Sequence, residues 1–185
     1  DRANGFCFLN DLVFAILRLR SLSVERIAYI DLDAHHCDGV QAAFSGDSDL
    51  LMISTHEAKR WPFTGALSEN IIDQQMNIPL LKNCNNEEFN LFFEGCVLPA
   101  LDRFAPEAII IQGGADAVCD DPLSRLALSN YTLWNAVKRL KERCDKVILT
   151  GGGGYNPWTV ARLWAGFWLV LNDRSPFIEL PSGAQ

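Results

Sequence analysis

The sequence predicts an α/β protein with three layers, α-β-α, in which helices cover both faces of a mainly parallel sheet. Short apolar runs of strand length alternate along the chain with longer segments in which apolar residues recur every three or four positions. The strand runs are apolar throughout, as is typical of strands that are buried on both faces. The 185 residues are sufficient for one domain with a sizeable core.

The predicted strands and helices alternate along the chain. Buried strands are predicted at residues 27–30, 50–54, 108–111 and 146–149, with an edge strand at 76–80 that contains Pro79. Helices are predicted at residues 11–21, 38–45, 86–104, 129–142 and from 157 onward. Three of these helices begin after an asparagine suited to N-capping, at positions 10, 85 and 156. Residues 57–75 are predicted to form an irregular loop and residues 174–185 an irregular tail.

The chain is acidic, with 16 Lys and Arg against 23 Asp and Glu and a formal net charge of −7. This balance argues against direct binding to nucleic-acid phosphates, which requires a basic face. It is compatible with a cationic substrate that is attracted by the protein's field. The sequence has no charged-then-apolar leader and no apolar run of about 18 residues, so we expect neither a signal peptide nor a membrane span.

Six cysteines lie at positions 7, 37, 84, 96, 119 and 144, and none are paired as Cys-x-x-Cys. They therefore do not match the spacing of a thiolate zinc site. Most lie in apolar stretches, so we expect them to be small buried side chains. A reduced, cytoplasmic protein fits this usage best.

The segment Asp31-Leu32-Asp33-Ala34-His35-His36 directly follows the first predicted strand. The carboxyl ends of strands are where ligands bind in open α/β sheets. Asp33 and His35 are two residues apart, so on extended backbone they point to the same side. One carboxylate and one imidazole on the same side suit a divalent metal, above all zinc. The alternative is a polar loop whose charges are simply solvated.

Two later strands end in polar groups at the same sheet edge. Asp116 follows the strand at 108–111, and Tyr155 follows the one at 146–149 after four consecutive glycines. With Asp33 and His35, Asp116 would complete a set of three ligands that leaves one position of a catalytic zinc open. Tyr155 carries a hydroxyl suited to stabilising an oxyanion. Alternatively Asp116 caps a turn, Tyr155 is a packed aromatic, or the glycines cradle phosphate, although no phosphate-loop pattern is present.

Four blocks occur in the order of a known family: residues 5–11 (Gly-Phe-Cys-Phe-Leu-Asn-Asp), 31–40 (Asp-Leu-Asp-Ala-His-His-Cys-Asp-Gly-Val), 112–116 (Gln-Gly-Gly-Ala-Asp) and 151–155 (Gly-Gly-Gly-Gly-Tyr). Together they resemble the zinc-dependent histone deacetylase family of the arginase/deacetylase superfamily. The bacterial relatives of that family include acetoin-utilisation-type proteins and acetylpolyamine amidohydrolases. The resemblance covers nearly the whole chain and implies an enzyme that hydrolyses an acetyl amide on a lysine-like or polyamine amine.

The resemblance also implies a role for individual residues. Zinc would be bound by Asp33, His35 and Asp116, while Tyr155 would donate a hydrogen bond to the substrate carbonyl. A monovalent cation, K⁺ in the family, would be bound near Asp31 and Ser54. The acyl chain would contact residues that line a narrow channel: Gly5, Phe6, Trp61 and Gly153. Trp61 lies in Trp61-Pro62-Phe63-Thr64-Gly65, where the family has a Phe-Pro-Gly-Thr-Gly-like segment.

The family's pair of proton-transferring histidines precedes its Gly-Phe-Cys block, and the chain starts at Asp1, too late to contain that pair. In the family Asp31 and Asp38 orient those histidines, so here both aspartates would lack their partners. Structural roles are expected for His36 and His56. We therefore expect this chain, residues 1–185, to be a partial deacetylase domain, impaired on its own by about 10²–10⁴-fold.

An incomplete sheet would expose an edge strand and favour oligomerisation. Two other functions stay open from the sequence. An arginase-like ureohydrolase would require a second metal and more Asp or His ligands, whereas residues 112–116 supply one carboxylate. A non-catalytic acyl-lysine-binding paralogue is consistent with the absent histidine pair.

Overall fold

The computed structural model describes residues 3–176, and its centre is one sheet of five parallel strands. The strands are β1 (Ile27–Asp31), β2 (Leu50–Glu57), β3 (Gln75–Leu80), β4 (Ala108–Gln112) and β5 (Val147–Thr150). They lie in the order β3-β2-β1-β4-β5. β1 is therefore central, β2 and β3 are added on one side of it, and β4 and β5 are added on the other side. The predicted parallel sheet is confirmed.

Six α-helices connect and flank the strands: α1 (Asp11–Ser21), α2 (Asp38–Ala43), α3 (Asn86–Phe92), α4 (Leu98–Phe104), α5 (Asn130–Lys141) and α6 (Pro157–Leu171). One face of the sheet packs on α1 and α2 through a buried cluster that includes Ile16 and Val40. The other face packs on α3 to α6 through a larger cluster that includes Phe89, Leu133 and Phe167. Apolar side chains cover both faces, and the predicted three-layer architecture is confirmed.

The register aligns the ends of neighbouring strands. Asp31 of β1 lies opposite Ser54 of β2 and Gln112 of β4, and Gln112 lies opposite Thr150 of β5. Because all the strands are parallel, the segments that follow β1, β4 and β5 leave the sheet at the same edge. This register brings the sequence-predicted site residues together.

The predicted helix at 86–104 differs in detail. It consists of α3, a π-helical turn at Phe93–Val97, and α4. Pro99 lies in the first turn of α4, where it has no N–H to donate and its ring would clash with the carbonyl four residues earlier. A widened turn directly before the proline accommodates this conflict.

The prediction that the strand at 146–149 is buried is wrong. β5 is the outermost strand on its side of the described sheet, and the Ile148 side chain is 37% exposed. A continuous apolar run indicates a strand, but it does not distinguish an edge position from a central one. β3 is the other edge strand and contains Pro79, as predicted.

The expectation that most cysteines are buried is also wrong. Only Cys37 and Cys84 are buried, and Cys144 is half-buried. The exposed cysteines lie in surface loops and on an outward-facing helical turn: Cys7, Cys119 and Cys96. An apolar neighbourhood in the sequence does not determine which side of a turn faces solvent.

Two predictions concern the chain ends and the membrane. Residues 174–176 lie outside helices and strands, as predicted, and the rest of the predicted tail, 177–185, lies outside the described residues. None of the helices between residues 3 and 176 combines the length and apolarity required to cross a bilayer.

Candidate active site

Asp33, His35 and Asp116 form a cluster at the carboxyl edge of the sheet. One ligand atom from each lies within 4.8 Å of the others. Nδ1 of His35 is 3.0 Å from Oδ1 of Asp33 and 3.0 Å from Oδ2 of Asp116. The two carboxylates are buried and the imidazole is partly exposed. The structure therefore brings together the three side chains that the sequence predicted to bind metal.

Backbone amides hold the cluster in place. The Asp33 amide donates to Oδ1 of Asp31 (3.0 Å), and the His35 amide donates to Oδ1 of Asp33 (2.8 Å). The Ala34 amide donates to Oδ1 of Asp116 (2.8 Å), which joins the segment after β1 to the segment after β4. These bonds leave Oδ2 of Asp116 directed at the imidazole. The backbone amides of the segment after β1 therefore position carboxylates from two strand ends.

Charges within the cluster strongly affect its protonation. Burial would lower the pKa of His35, but hydrogen bonds to Asp116 and Asp33 raise that pKa to about 10. Burial and the negative charge of Asp33 raise the pKa of Asp116 to about 7. Burial would raise the pKa of Asp33, but hydrogen bonds from His35 and Gln112 lower it. Without a metal, the two carboxyl groups therefore favour the protonated form of the imidazole between them.

Gln112 orients Asp33, a role that the sequence analysis did not assign. Nε2 of Gln112 donates to Oδ2 of Asp33 (2.9 Å), and its Oε1 accepts from the Gly114 amide (2.8 Å). The Gly153 amide donates to the same Asp33 oxygen (2.9 Å). The position of Gln112 at the end of β4, within the block that supplies Asp116, was the available signal.

Gly153 must be glycine because the loop passes directly over the carboxylates. A Cβ at this position would lie 2.0 Å from Oδ2 of Asp116 and 2.9 Å from Oδ2 of Asp33. The loop that carries Tyr155 is thus packed against two predicted metal ligands. Gly153 therefore lies against Asp116 and Asp33, and its contact with the acyl chain stays a prediction.

Tyr155 follows the glycine loop that packs on Asp33 and Asp116, and the residue is 38% exposed. Its ring packs edge-on against Phe6, with centroids 6.1 Å apart. Burial, followed by the negative charges of Asp116 and Asp33, raises the pKa of Tyr155 to about 12. The phenol is therefore protonated at physiological pH and is able to donate a hydrogen bond.

Three residues predicted to contact substrate lie near the cluster or Tyr155: Trp61, Gly5 and Phe6. The Trp61 ring is edge-on to the His35 imidazole, with centroids 6.2 Å apart. Gly5 lies against Trp61, because a Cβ on Gly5 would come within 2.7 Å of the indole. Phe6 is largely exposed on the Tyr155 side. The aromatic rings of Phe6, Trp61 and Tyr155 thus border the cluster, an arrangement suited to an apolar chain entering from solvent.

The comparisons with known proteins agree with this geometry. A family model described as the histone deacetylase domain matches residues 1–171. The chain belongs to the histone deacetylase family. Among curated members, histone deacetylase 8 of Xenopus tropicalis is 32% identical over 187 residues, which cover 98% of this chain and 50% of that protein. The acetoin utilization protein AcuC of Bacillus subtilis is 36% identical over 193 residues, covering 97% of this chain and 50% of that protein.

Solved structures confirm the deacetylase fold. The histone deacetylase homolog from Aquifex aeolicus is 38% identical and superposes with a TM-score of 0.87, covering 97% of this chain and 49% of that one. A histone deacetylase homolog complexed with SAHA is 39% identical, with a TM-score of 0.86 and coverage of 97% and 49%. The chain spans about a third to a little over half of the length of the curated relatives it matches.

The residues predicted to support the cluster are Asp31, Ser54 and Asp38. Asp31 accepts hydrogen bonds from the Tyr29 hydroxyl and the Asp33 amide. Burial and the charge of Asp33 raise the pKa of Asp31 well above its usual range. Ser54 lies opposite Asp31 in the sheet, but its hydroxyl is 3.0 Å from Nδ1 of His56. Asp38 is the first residue of α2 and is half-buried.

The other two histidines lie in buried hydrogen-bond networks. Nδ1 of His36 is 2.8 Å from the Thr64 hydroxyl, and its Nε2 is 2.8 Å from Oε1 of Gln41. Nε2 of His56 is 3.0 Å from the Gly65 carbonyl, and its Nδ1 contacts Ser54. Burial, and then the proximity of His36, lower the pKa of His56 to about 4. Both ring nitrogens of each histidine are thus engaged beneath the loop after β2.

Proposed function

We propose that this chain supplies the metal-binding and carbonyl-polarising part of an active site that hydrolyses an acetyl amide on a lysine-like or polyamine amine. The observation that carries the proposal is the position of Tyr155 beside the cluster of Asp33, His35 and Asp116. Family membership supports the reaction class, since the named relatives are deacetylases and acetoin utilization proteins.

The donor set of the cluster fits zinc. Two carboxylates and one imidazole provide three ligands and leave one position open for water or a carbonyl oxygen. Bound there, zinc would supply Lewis-acid polarisation of the carbonyl and a more acidic water. Gln112 and the Gly153 amide would hold Asp33 in its ligating orientation.

Tyr155 would act on the substrate itself. Its protonated hydroxyl would donate a hydrogen bond to the acetyl oxygen as negative charge develops on that oxygen. Trp61 and Phe6 would flank the aliphatic chain that carries the amide. The acidic chain would attract the cationic remainder of a lysine-like or polyamine substrate.

The described residues offer few side chains that could transfer protons during the reaction. His35 belongs to the candidate metal cluster, and both ring nitrogens of His36 and of His56 already have hydrogen-bond partners. A general acid–base contributes about 10²–10⁴-fold to such reactions. We therefore propose that the chain by itself turns over slowly. The same reasoning favours a second candidate, a zinc-dependent acyl-lysine binder with no turnover.

We also propose a monovalent-cation site near Asp31 and Ser54. Their adjacent positions in β1 and β2 and the buried carboxyl of Asp31 support it. A K⁺ ion there would lie beside the segment that supplies Asp33 and His35 and would alter its local electrostatics. Thermal stability that rises with K⁺ but not with a larger quaternary ammonium ion would support this site.

Zinc content and turnover test the main proposal together. We expect one zinc per chain by mass spectrometry of the native protein, lost in Asp116→Asn and retained in the exposed control Asp120→Asn. A binuclear site would instead favour an arginase-like enzyme, although one candidate cluster is found within residues 3–176. Absence of zinc binding would contradict the proposal.

Turnover is then measured with an acetyl-lysine peptide and with acetylated polyamines. Tyr155→Phe should lower kcat by about 10²–10³-fold, whereas Tyr131→Phe on α5 should not. Binding of SAHA by the zinc-loaded chain without turnover of either substrate would support the acyl-lysine binder. Fast turnover by the chain alone would contradict the argument from missing proton transfer.

A further inference from the structure

The segment that follows β4 runs alongside the loop that carries Tyr155. The Gly113 amide donates to the Thr150 carbonyl (3.0 Å), and the Ala115 amide donates to the Gly153 carbonyl (2.6 Å). These two bonds fix the start and the middle of the glycine loop. At Tyr155 the acceptor is a side chain instead of a backbone carbonyl: the Tyr155 amide donates to Oδ2 of Asp121 at 2.7 Å.

Asp121 is itself held firmly. Its residue is 5% exposed, and its other oxygen, Oδ1, accepts from the Leu123 amide at 2.9 Å. Each carboxylate oxygen therefore has an amide donor, and rotation of the side chain would break both bonds. Hydrogen bonds to a carboxylate are stronger than those between neutral groups. The Tyr155 backbone is thus attached to a fixed, charged acceptor.

The Tyr155 ring has few packing contacts of its own, although the next residue, Asn156, caps α6. Gly154 precedes it with φ of +142°, a conformation that only glycine adopts readily. The ring is partly exposed, and its aromatic neighbour Phe6 is itself largely exposed. Packing alone would leave the ring free to move with its loop.

We infer that Asp121 is the positioning residue for Tyr155: its carboxylate holds the Tyr155 backbone amide and so keeps the phenol hydroxyl beside the metal cluster. The role of the hydroxyl rests on the proposed function, whereas the anchoring of the loop does not.

Asp121→Asn is the sharpest variant. It preserves the shape of the side chain but offers one carbonyl oxygen in place of two, so the amide of Tyr155 or of Leu123 loses its acceptor. Asp120→Asn is the matched control: Asp120 is the neighbouring residue, is exposed, and has φ of +71°, which asparagine tolerates. Both variants remove one negative charge from the same loop.

Hydrogen exchange of the Tyr155 amide measures how well the hydrogen bond to Asp121 protects it. The chain has three tyrosines, so ¹⁵N-tyrosine labelling yields three amide signals, and Tyr155→Phe identifies the relevant one. Tyr29, buried in β1, reports global unfolding and serves as the reference. We expect the exchange rate of the Tyr155 amide, relative to that of the Tyr29 amide, to rise at least about 10-fold in Asp121→Asn. It should stay unchanged in Asp120→Asn and rise further in Asp121→Ala, which leaves neither amide an acceptor. No change in either Asp121 variant, or an equal rise in Asp120→Asn, would overturn the inference.

Kinetics then separates positioning from general destabilisation. With the zinc-loaded protein and an acetyl-lysine peptide, Asp121→Asn should lower kcat by about 10–100-fold with little change in KM. A wild-type kcat in a variant whose Tyr155 amide exchanges faster would overturn the positioning role. If wild type has no turnover and Tyr155→Phe has no effect, the proposed function fails, but the exchange experiment still decides whether Asp121 anchors the loop.

Discussion

Zinc binding by the cluster of Asp33, His35 and Asp116 should become steeply stronger as pH rises. In the metal-free protein, hydrogen bonds to Asp116 and Asp33 outweigh burial and raise the pKa of His35 to about 10. A histidine must be neutral to bind zinc, so the metal has to displace this proton. At pH 7, about three units below that pKa, roughly one imidazole in 1,000 is neutral. The apparent affinity at pH 7 should therefore be up to about 1,000-fold weaker than above pH 10.

Calorimetry tests this expectation. Zinc is titrated at pH 8 from a chelator-buffered stock in two buffers with different ionisation enthalpies, and the difference in heat gives the protons released. We expect about one proton per zinc, from His35. Near pH 7 a further fraction of a proton should come from Asp116. Burial and the charge of Asp33 raise the pKa of Asp116 to about 7. Zinc binding with no proton release, and with an affinity that is constant between pH 7 and 9, would refute the ion-paired state of His35.

The same protonation should make the metal-free protein sensitive to alkali. The folded-state pKa of His35 is raised from 6.5 to about 10, so its contribution to stability is fully present below pH 6.5 and is lost as pH rises toward 10. We therefore expect Tm to fall across this window in the metal-free protein. The zinc-loaded protein should show a smaller fall, since its imidazole is already neutral. An equal fall in Tm between pH 6.5 and 10 in the metal-free and the zinc-loaded protein would contradict this reasoning.

Two glycine substitutions extend the predictions. Gly153→Ala should weaken zinc binding by at least about 10-fold, because the added Cβ would lie 2.0 Å from Oδ2 of Asp116; Gly95→Ala, whose Cβ would meet nothing within 4 Å, is the control in the same titration. Gly166→Ala should lower the free energy of unfolding by about 1–3 kcal/mol, since its Cβ would lie 2.0 Å from the Trp134 ring. Urea unfolding followed by tryptophan fluorescence measures this loss, and wild-type stability would contradict the packing argument.

The sequence was sufficient for most of the fold because its signals are local. Uniformly apolar runs predicted buried parallel strands, and asparagine caps predicted where α1, α3 and α6 begin. The exposure of Ile148 was not predictable, because edge position depends on the strand order. The π-helical turn before Pro99 was missed because the periodic apolar pattern continues through it.

The candidate site was predictable to a similar degree and for a related reason. Asp33, His35 and Asp116 directly follow strands, and parallel strands bring their carboxyl ends together. Gln112 and Asp121 were not singled out, because their roles arise from approaches between distant segments. Asp121 contacts the amide of a residue 34 positions later in the chain, a relation that no short motif encodes.

These contacts link the metal cluster to the tyrosine loop. Oδ2 of Asp33 accepts from Gln112 and from the Gly153 amide, while its Oδ1 accepts from the His35 amide and contacts the imidazole. Of these four partners only the imidazole proton has to leave when zinc binds, so the backbone bonds can persist through metal uptake. The glycine loop is thus bonded to Asp33 through the Gly153 amide, and the Tyr155 amide that follows it is bonded to Asp121. A loop that is held at both points can place the phenol hydroxyl reproducibly, although most of its residues are glycine. The acceptors that hold it, Asp33 and Asp121, lie outside the loop, so its position does not depend on packing between its own residues.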